Sequence, residues 1–493
     1  MPSDGIIEVN SKERNDDMKI FIVFICAVAV LAAVLILRAV AVRARARKPE
    51  AEKQLVSSEK QAEYAARLGE IIRCETVSVR GSYDDTEFAK LRETVRRLFP
   101  KVHEAAERMT FGDDCWVYKI RGKDETRNVM LMSHHDVVAA KGEWRHPEFC
   151  GEVFGNEIWG RGTVDTKTSL FAEFQALEEL LAEGFLPETN VWLASSHNEE
   201  IFGDGIPLAV GYFKKNGIEF ESVLDEGGGI IDPPLDGIKH KCAMVAVHEK
   251  CRHTLICTAN QGKVRNSLAA NTNTPVSVMA DFINEVNKSK IFRRRLYPEV
   301  RAMFEQLCPY TPFAFSIVFA NLWLFGPIVT SVMPKINPMA GAMVGTNCYF
   351  TEIKGSNAEK SCVAKAYFRA MSAEDLENEL SEFRKLAEKY GIEIAEGEGN
   401  ETYAPADMSK RNFSYTRECI AEIFPHTVSA AYVLAAGTDA RHMTAVSPCA
   451  LRFAPIEMTA QQFNSVHNEN ENIAVKSVAN AVAFYKHYIK NYR

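Results

Sequence analysis

The apolar positions of this chain are continuous near its start and periodic afterwards. Residues 20–37 read IFIVFICAVAVLAAVLIL, with no charged or strongly polar side chain. A run of this length is about the shortest that crosses a bilayer as a helix. Arg38 interrupts it, and residues 39–42 extend it if the arginine stem lies along lipid and its head reaches the interface. The expected single-pass anchor covers residues 20–42. A signal peptide is the competing reading, but no small-residue cleavage site follows, and Arg43, Arg45, Arg47 and Lys48 come at once. Residues 1–19 read as a polar, unstructured tail and residues 43–59 as a charged tether. Positive charge after the helix and acidic residues before it would place the large domain in the cytoplasm. The side of the membrane stays open at this point.

From Lys60 the pattern becomes helical, with Tyr64, Leu68, Ile71 and Ile72 on one face. A second helix is expected over 87–98, ending before Pro100. Strands follow at 116–120, 128–133 and 191–196, with helices at 168–183 and 206–215 between and after them. Such alternation argues for an α/β layer structure. The texture changes near Lys241: strands at 242–247, 253–258 and 364–370, and helices at 276–286 and 373–390. Residues 292–345 are rich in Phe, Pro and Met. The stretch 313–325 is read as buried or as part of a hydrophobic substrate wall, because it is short and contains Asn321. After Gly399 the α/β texture returns. The expected division is a catalytic domain in two parts, 60–244 and 397–493, interrupted by an inserted smaller domain at 245–396.

With 493 residues the chain can hold two or three domains with proper cores. Its formal net charge is −7 and no long basic stretch follows the N-terminal region, which argues against nucleic acid as a partner. Twelve cysteines without a CxxC pair suit buried thiols or a reducing compartment and give no disulfide framework.

Candidate chemistry gathers at the ends of the expected strands. His134-His135-Asp136 closes the apolar run 128–133, and α/β proteins place their sites at such a rim. Gly160-Arg161-Gly162-Thr163-Val164-Asp165 precedes a helix, and its glycines permit a tight backbone path that holds Asp165 where one carboxylate can bridge two cations. His197-Asn198-Glu199-Glu200 follows the strand 191–196. Adjacent carboxylates repel unless a cation or proton intervenes. Asp225-Glu226 follows a short strand, and His467-Asn468-Glu469-Asn470-Glu471 precedes the last helix. Each cluster alone has a plain alternative: a strand-end turn, a helix cap or a solvated acidic loop. Together they supply the imidazoles and carboxylates of a two-zinc site with room for water; cobalt or manganese could substitute.

These motifs, in this order, make the chain resemble the zinc peptidase and amidohydrolase family that includes carboxypeptidase S, aminoacylase and bacterial glutamate carboxypeptidase. The nearest branch is that of carboxypeptidase S and the N-fatty-acyl-amino-acid hydrolases. The resemblance covers roughly residues 60–490 through SHHDVV, IWGRGTVDTK, HNEE, LDEGG, YPEVRAMFE, FANLWLF, GTDARH and VHNENENI. It implies an α/β catalytic domain with a mainly parallel sheet and an inserted α+β lid, through which a homodimer could form. It implies that His134 and one of Asp225 and Glu226 hold one zinc, that Glu200 and His467 hold the other, and that Asp165 bridges them. Asp136 would orient His134, Glu199 would be the general base and acid, and Thr438 and Arg441 would belong to a substrate loop, with Arg441 facing a substrate carboxylate.

The inserted domain departs from the pattern. Where the family carries a Gly-His pair whose histidine helps stabilise the oxyanion, this chain reads Gln261-Gly262-Lys263-Val264-Arg265-Asn266-Ser267; Lys263, Arg265 or Asn266 would have to supply that donor. The family's Arg-Thr-Thr is Gly345-Thr346-Asn347, and its Asn-Val-x-Pro stretch is shortened near Asn357. Losing one such donor costs about two to three orders of magnitude in rate. The expected function is therefore a membrane-anchored two-zinc hydrolase of peptides or N-acyl amino acids. The second reading is a metal-binding homologue that binds such ligands with little or no turnover. A dinucleotide enzyme, suggested by Gly-rich turns, is discounted because no GxGxxG follows an early strand.

Overall fold

In the computed structural model, residues 4–260, 274–336, 338–356 and 360–493 are described. Among them, nine strands form the catalytic sheet. Its order is Glu107–Phe111, Cys115–Ile120, Thr189–Ser196, Asp124–His134, Ser222–Asp225, Ala450–Arg452, Cys242–Glu249 and Val428–Leu434, with Gly229–Ile231 beside Cys242–Glu249. The four central strands, from Thr189–Ser196 to Ala450–Arg452, run parallel, so their C-terminal ends share one rim. Cys242–Glu249 meets them antiparallel and pairs in parallel with Val428–Leu434.

The unbroken apolar run in Asp124–His134 follows from cover on both faces. Val129 and Leu131 point into a core with Phe171, Phe174 and Tyr485, from the helices Lys167–Ala182 and Val475–Asn491. Met130 and Met132, one residue out of phase, pack with Ile206 and Phe213 of the helix Gly205–Lys215 on the other side. A small three-stranded sheet joins distant chain: Asn472–Ala474 pairs with Glu157–Trp159, which pairs with Glu152–Phe154.

The inserted domain is an antiparallel sheet in the order Asn347–Ser356, Ser361–Ala370, Cys251–Asn260 and Ile392–Glu396. Burial alternates along Ser361–Ala370, and its inward residues meet the helices Pro275–Lys288 and Ala373–Lys389. The α/β catalytic domain with an inserted α+β domain is thus as the sequence implied, but the catalytic sheet is mixed rather than mainly parallel: only the central strands and the Cys242–Glu249/Val428–Leu434 pair run parallel, and the flanking pairings are antiparallel.

Three further expectations differ from what is observed. The tail is helical: one helix runs Asp4–Arg45, continuous with the apolar stretch. The tether is docked, since Arg47 donates to the carbonyls of Pro425 at 3.0 Å and Thr427 at 2.5 Å, and Glu50 N–H bonds Pro425. Much of the span 298–342 leaves the inserted domain. Val300, Phe304, Leu307, Phe319, Leu322 and Met333 pack on Cys242, Met244, Val428 and Ala430 of the catalytic sheet, covering an apolar strand pair that would otherwise face water. The stretch 313–325 is therefore only half buried: Asn321 is inside, but Phe313, Phe315 and Trp323 are exposed. Of the departures from the family pattern, Gln261 to Ser267 and Asn357 lie outside the described residues.

Candidate metal centre

Three parallel strands deliver three of the clusters to one rim. His134 ends Asp124–His134, His197-Asn198-Glu199-Glu200 follows Thr189–Ser196, and Asp225 ends Ser222–Asp225. The pairing of Asn472 with Trp159 brings the remaining two together, the loop of Asp165 and the loop of His467.

Two triads of candidate ligands result. His134, Asp165 and Glu226 form one, and Asp165, Glu200 and His467 the other; within each, the ligand atoms lie within 4.8 Å of one another. Asp165 belongs to both. Its Oδ1 is 2.9 Å from His134 Nε2 and its Oδ2 is 3.0 Å from His467 Nε2, which lies 3.0 Å from Glu200 Oε2. Asp225 is placed differently from Glu226. Its oxygens accept the N–H of Glu226 at 2.9 Å and of Ala440 at 2.7 Å.

Asp136 organises the rim from beneath. His134 Nδ1 is 3.0 Å from its carbonyl and 3.4 Å from its Oδ1, which leaves Nε2 aimed at Asp165. Its carboxylate also accepts the N–H of Glu199 and of Glu200, both at 3.2 Å, and the Ser78 hydroxyl at 2.6 Å. His135 is turned away, stacked on Trp116 with Nδ1 2.9 Å from Ser195 Oγ.

The electrostatics describe a site with surplus negative charge. Burial pushes the Glu199 carboxyl well above its ordinary range and Asp439 adds to the shift, while His134 and Arg441 oppose it. Burial also raises Glu226, helped by Asp165 and Asp225, and lifts Asp225 to about 7. Burial alone would lower His134, but its bonds to Asp136 and Asp165 outweigh that and raise it well above 6.5. Hydrogen bonds to Asp165 and Glu200 raise His467 to about 10. Buried carboxyls that must share protons, imidazoles that attract them, and the unpartnered buried Oε1 of Glu200 are the environment a divalent cation relieves. The nitrogen and oxygen donors fit zinc.

Thr438 and Arg441 lie next to this rim. Arg441 is buried; its Nη1 donates to Thr438 O at 2.5 Å and lies 3.4 Å from Glu199 Oε1. Thr438 is engaged elsewhere, since its N–H and hydroxyl both go to Glu249, which pairs with Arg452 at 2.5 Å. A cavity of about 300 Å³ opens between the two domains, lined by Lys250, Asn347, Tyr349, Tyr367, Arg369 and Ala435. The apolar segment 310–345 reaches it through Ala342.

Glu471 and Arg161 also belong to this rim, without a signature of their own in the sequence. Glu471 Oε1 accepts the N–H of Val164 at 2.7 Å and of Asp165 at 3.1 Å; Oε2 accepts Gly162 N–H at 3.1 Å and Arg161 Nη1 at 2.5 Å. The carboxylate thus holds the Asp165 loop in place. Both residues stand inside quoted motifs, but nothing local separates Glu471 from Glu469.

A profile of "Peptidase family M20/M25/M40" matches residues 130–491. "Probable carboxypeptidase S-like 2" of Dictyostelium discoideum is 27% identical over 444 residues, covering 87% of this chain and 85% of that protein. "N-fatty-acyl-amino acid synthase/hydrolase PM20D1" of Xenopus tropicalis is 27% identical over 483 residues, covering 95% of this chain and 94% of its own length. Among solved structures, an M20 family metallo-carboxypeptidase from Sulfolobus solfataricus superposes with a TM-score of 0.59 at 18% identity, covering 87% of this chain and 98% of that one. A dinuclear metal-binding M20 peptidase of Bacillus subtilis gives a TM-score of 0.56 at 12% identity, covering 87% and 98%.

Proposed function

Because this chain belongs to peptidase family M20/M25/M40, we propose that it is a membrane-anchored, two-zinc hydrolase of peptides or N-acyl amino acids. The observation that carries the reading is the carboxylate of Asp165, shared by the His134–Glu226 and Glu200–His467 triads. A metal-dependent amide hydrolase needs such a pair of adjacent sites on one rim. Bound there, the two ions supply Lewis acidity toward the scissile carbonyl and a water of lowered pKa.

The chain's own residues then do the rest. His134 and Glu226 hold one site and Glu200 and His467 the other, with Asp165 between. Asp225, whose oxygens are taken by backbone N–H groups, fixes the turn that carries Glu226. Asp136 fixes both His134 and the backbone of Glu199. Glu199, buried and held protonatable by its surroundings, takes the proton from the attacking water and returns it to the leaving amine. Arg441 exchanges Glu199 for the carboxylate of the incoming substrate, while Thr438 holds the loop through Glu249. The tyrosine-lined cavity between the domains accepts the substrate's apolar portion. The names of the relatives support the substrate class, and the exposed apolar helix supports the anchor.

The test uses full-length protein in detergent, loaded with zinc and compared with Glu199→Ala on dipeptide and N-acyl-amino-acid panels. Two zincs per chain in both, and turnover lost in the variant, are expected. Two zincs without turnover in either would assign a binding role instead.

A further inference from the structure

The helices Phe313–Phe319 and Leu322–Ile336 meet at a bend of 106° and carry apolar residues on both faces. No charged residue lies between Glu305 and Lys335. The inner row of the second helix, Leu322, Gly326, Thr330 and Met333, is buried against the protein. The outer row, Leu324, Ile328, Val332 and Ile336, repeats every four residues and is exposed, with Ile328 at 58% and the neighbouring Trp323 at 56%. A helix on a soluble surface turns polar residues outward. This one does not, and the patch exceeds scattered surface hydrophobes in kind.

What lies beside it identifies its occupant. The bent pair packs on the base of the N-terminal helix, at the boundary between its apolar run and its basic end. Arg43 Nη1 donates to Thr311 O at 2.5 Å and Ser316 Oγ at 2.8 Å. Arg38 Nε donates to Ala320 O at 3.3 Å, and Asn321 Nδ2 donates to Leu35 O at 3.1 Å. Ala39 is fully buried in this contact. From Arg43 to Leu35 a helix rises about 12 Å. The bend at Ala320 and Asn321 therefore stands level with Leu35, beyond the last arginines and within the apolar run. Asn321, the one amide there, is buried and satisfied by Leu35 O and Ile317 O.

We propose that this bent pair is a second membrane-contacting element, which sinks its outer face into the bilayer beside the anchor and fixes the catalytic domain against the membrane surface. The proposal rests on the reading of the N-terminal helix as an anchor. Trp323 suits the interfacial depth, where aromatic side chains with one polar atom concentrate. A tether alone would leave the domain free to tumble; two contacts sharing the Arg38–Ala320 and Arg43–Ser316 bonds hold it in one orientation.

The experiment reconstitutes the full chain in phosphatidylcholine vesicles with a lipid-dissolved photoactivatable apolar reagent, then maps the modified peptides. Label in residues 20–37 and also in residues 313–336 is expected. Label confined to 20–37 overturns the proposal and leaves the anchor standing; a cross-linkable dimer in that case gives the face to a second copy of the chain. Label in 313–336 alone upholds the membrane contact and overturns the anchor. Label in neither overturns both. Brominated lipids give an independent reading: tryptophan quenching should be largely lost in Trp323→Phe, because Trp116, Trp159 and Trp192 are buried and Trp144, half-buried, packs against Arg161 in the catalytic domain. Quenching unchanged in that variant overturns the contact.

Discussion

The carboxylate of Glu471 accepts the backbone N–H of Asp165 at 3.1 Å, across 306 residues of chain. With Gly162, Val164 and Arg161 on the same carboxylate, one side chain fixes the whole loop that presents the shared ligand. Glu471 is outside both candidate ligand triads, yet it sets where Asp165 stands.

Glu471→Ala should therefore lower both stability and metal content. Breaking a buried pair leaves the Arg161 charge without its carboxylate, with only the Asn468 carbonyl as a hydrogen-bond partner, at about 3–5 kcal/mol, a fall in Tm on the order of 10 °C. Elemental analysis should find fewer than two metals per chain. An unchanged Tm with two metals would mean that the loop holds itself.

Glu226 and Asp225 are adjacent, yet only Glu226 lies with His134 and Asp165. Glu226→Gln should reduce binding from two metals to about one, through loss of an anionic ligand. Asp225→Asn should keep two metals but lower activity, because it disturbs the turn. The reverse pattern in metal titrations would exchange the two roles.

Arg441 lies 3.4 Å from Glu199 and lowers that carboxyl's affinity for protons. Removing the positive charge in Arg441→Met should raise it. A general base must be deprotonated to act, so the acidic limb of the kcat/KM profile should move to higher pH. A limb that stays in place while KM rises would put Arg441 wholly on the substrate.

His248 is the penultimate residue of the strand Cys242–Glu249, and its Nε2 donates to Met371 O at 2.7 Å, between the two domains. Burial lowers it to about 4, below the ordinary 6.5, with Arg452 and Lys250 also opposing a charge and Glu249 favouring it. Between these values the unfolded chain binds the proton more tightly than the folded one. Its contribution to stability is complete above pH 6.5 and is lost as pH falls towards 4. Urea midpoints for wild type and His248→Gln should converge over that interval; parallel curves would remove His248 from the acid response.

The sequence by itself determined the parts of this protein that depend on local order. Apolar runs that end on His134, Ser196 and Asp225 mark strands buried on both faces. A chain in which neighbouring parallel strands end at, or run directly into, metal-binding residue types has those residues at one rim, whatever packs around them. His134 and Glu200 were legible for that reason; Asp165 and His467 were legible only as motifs in order, since a separate antiparallel pairing brings their loops to the rim. The interruption by an inserted α+β domain was legible from the change of pattern.

Tertiary structure decided what depends on which surfaces meet. Glu226 was separated from Asp225 by two backbone N–H groups, one of them Ala440's, more than 200 residues away. Glu471 was separated from Glu469 because a strand pairing at Asn472 and Trp159 carried its carboxylate beneath the Asp165 loop. The stretch 313–325 reads from sequence as buried or as a hydrophobic substrate wall because apolar pattern records that a surface avoids water, not what covers it. Only the packed chain shows that the inner row of Leu322–Ile336 meets the catalytic sheet while its outer row stays bare beside Leu35 and Arg38. Hydrophobicity is non-directional; the assignment of each apolar face to a partner is made by the fold.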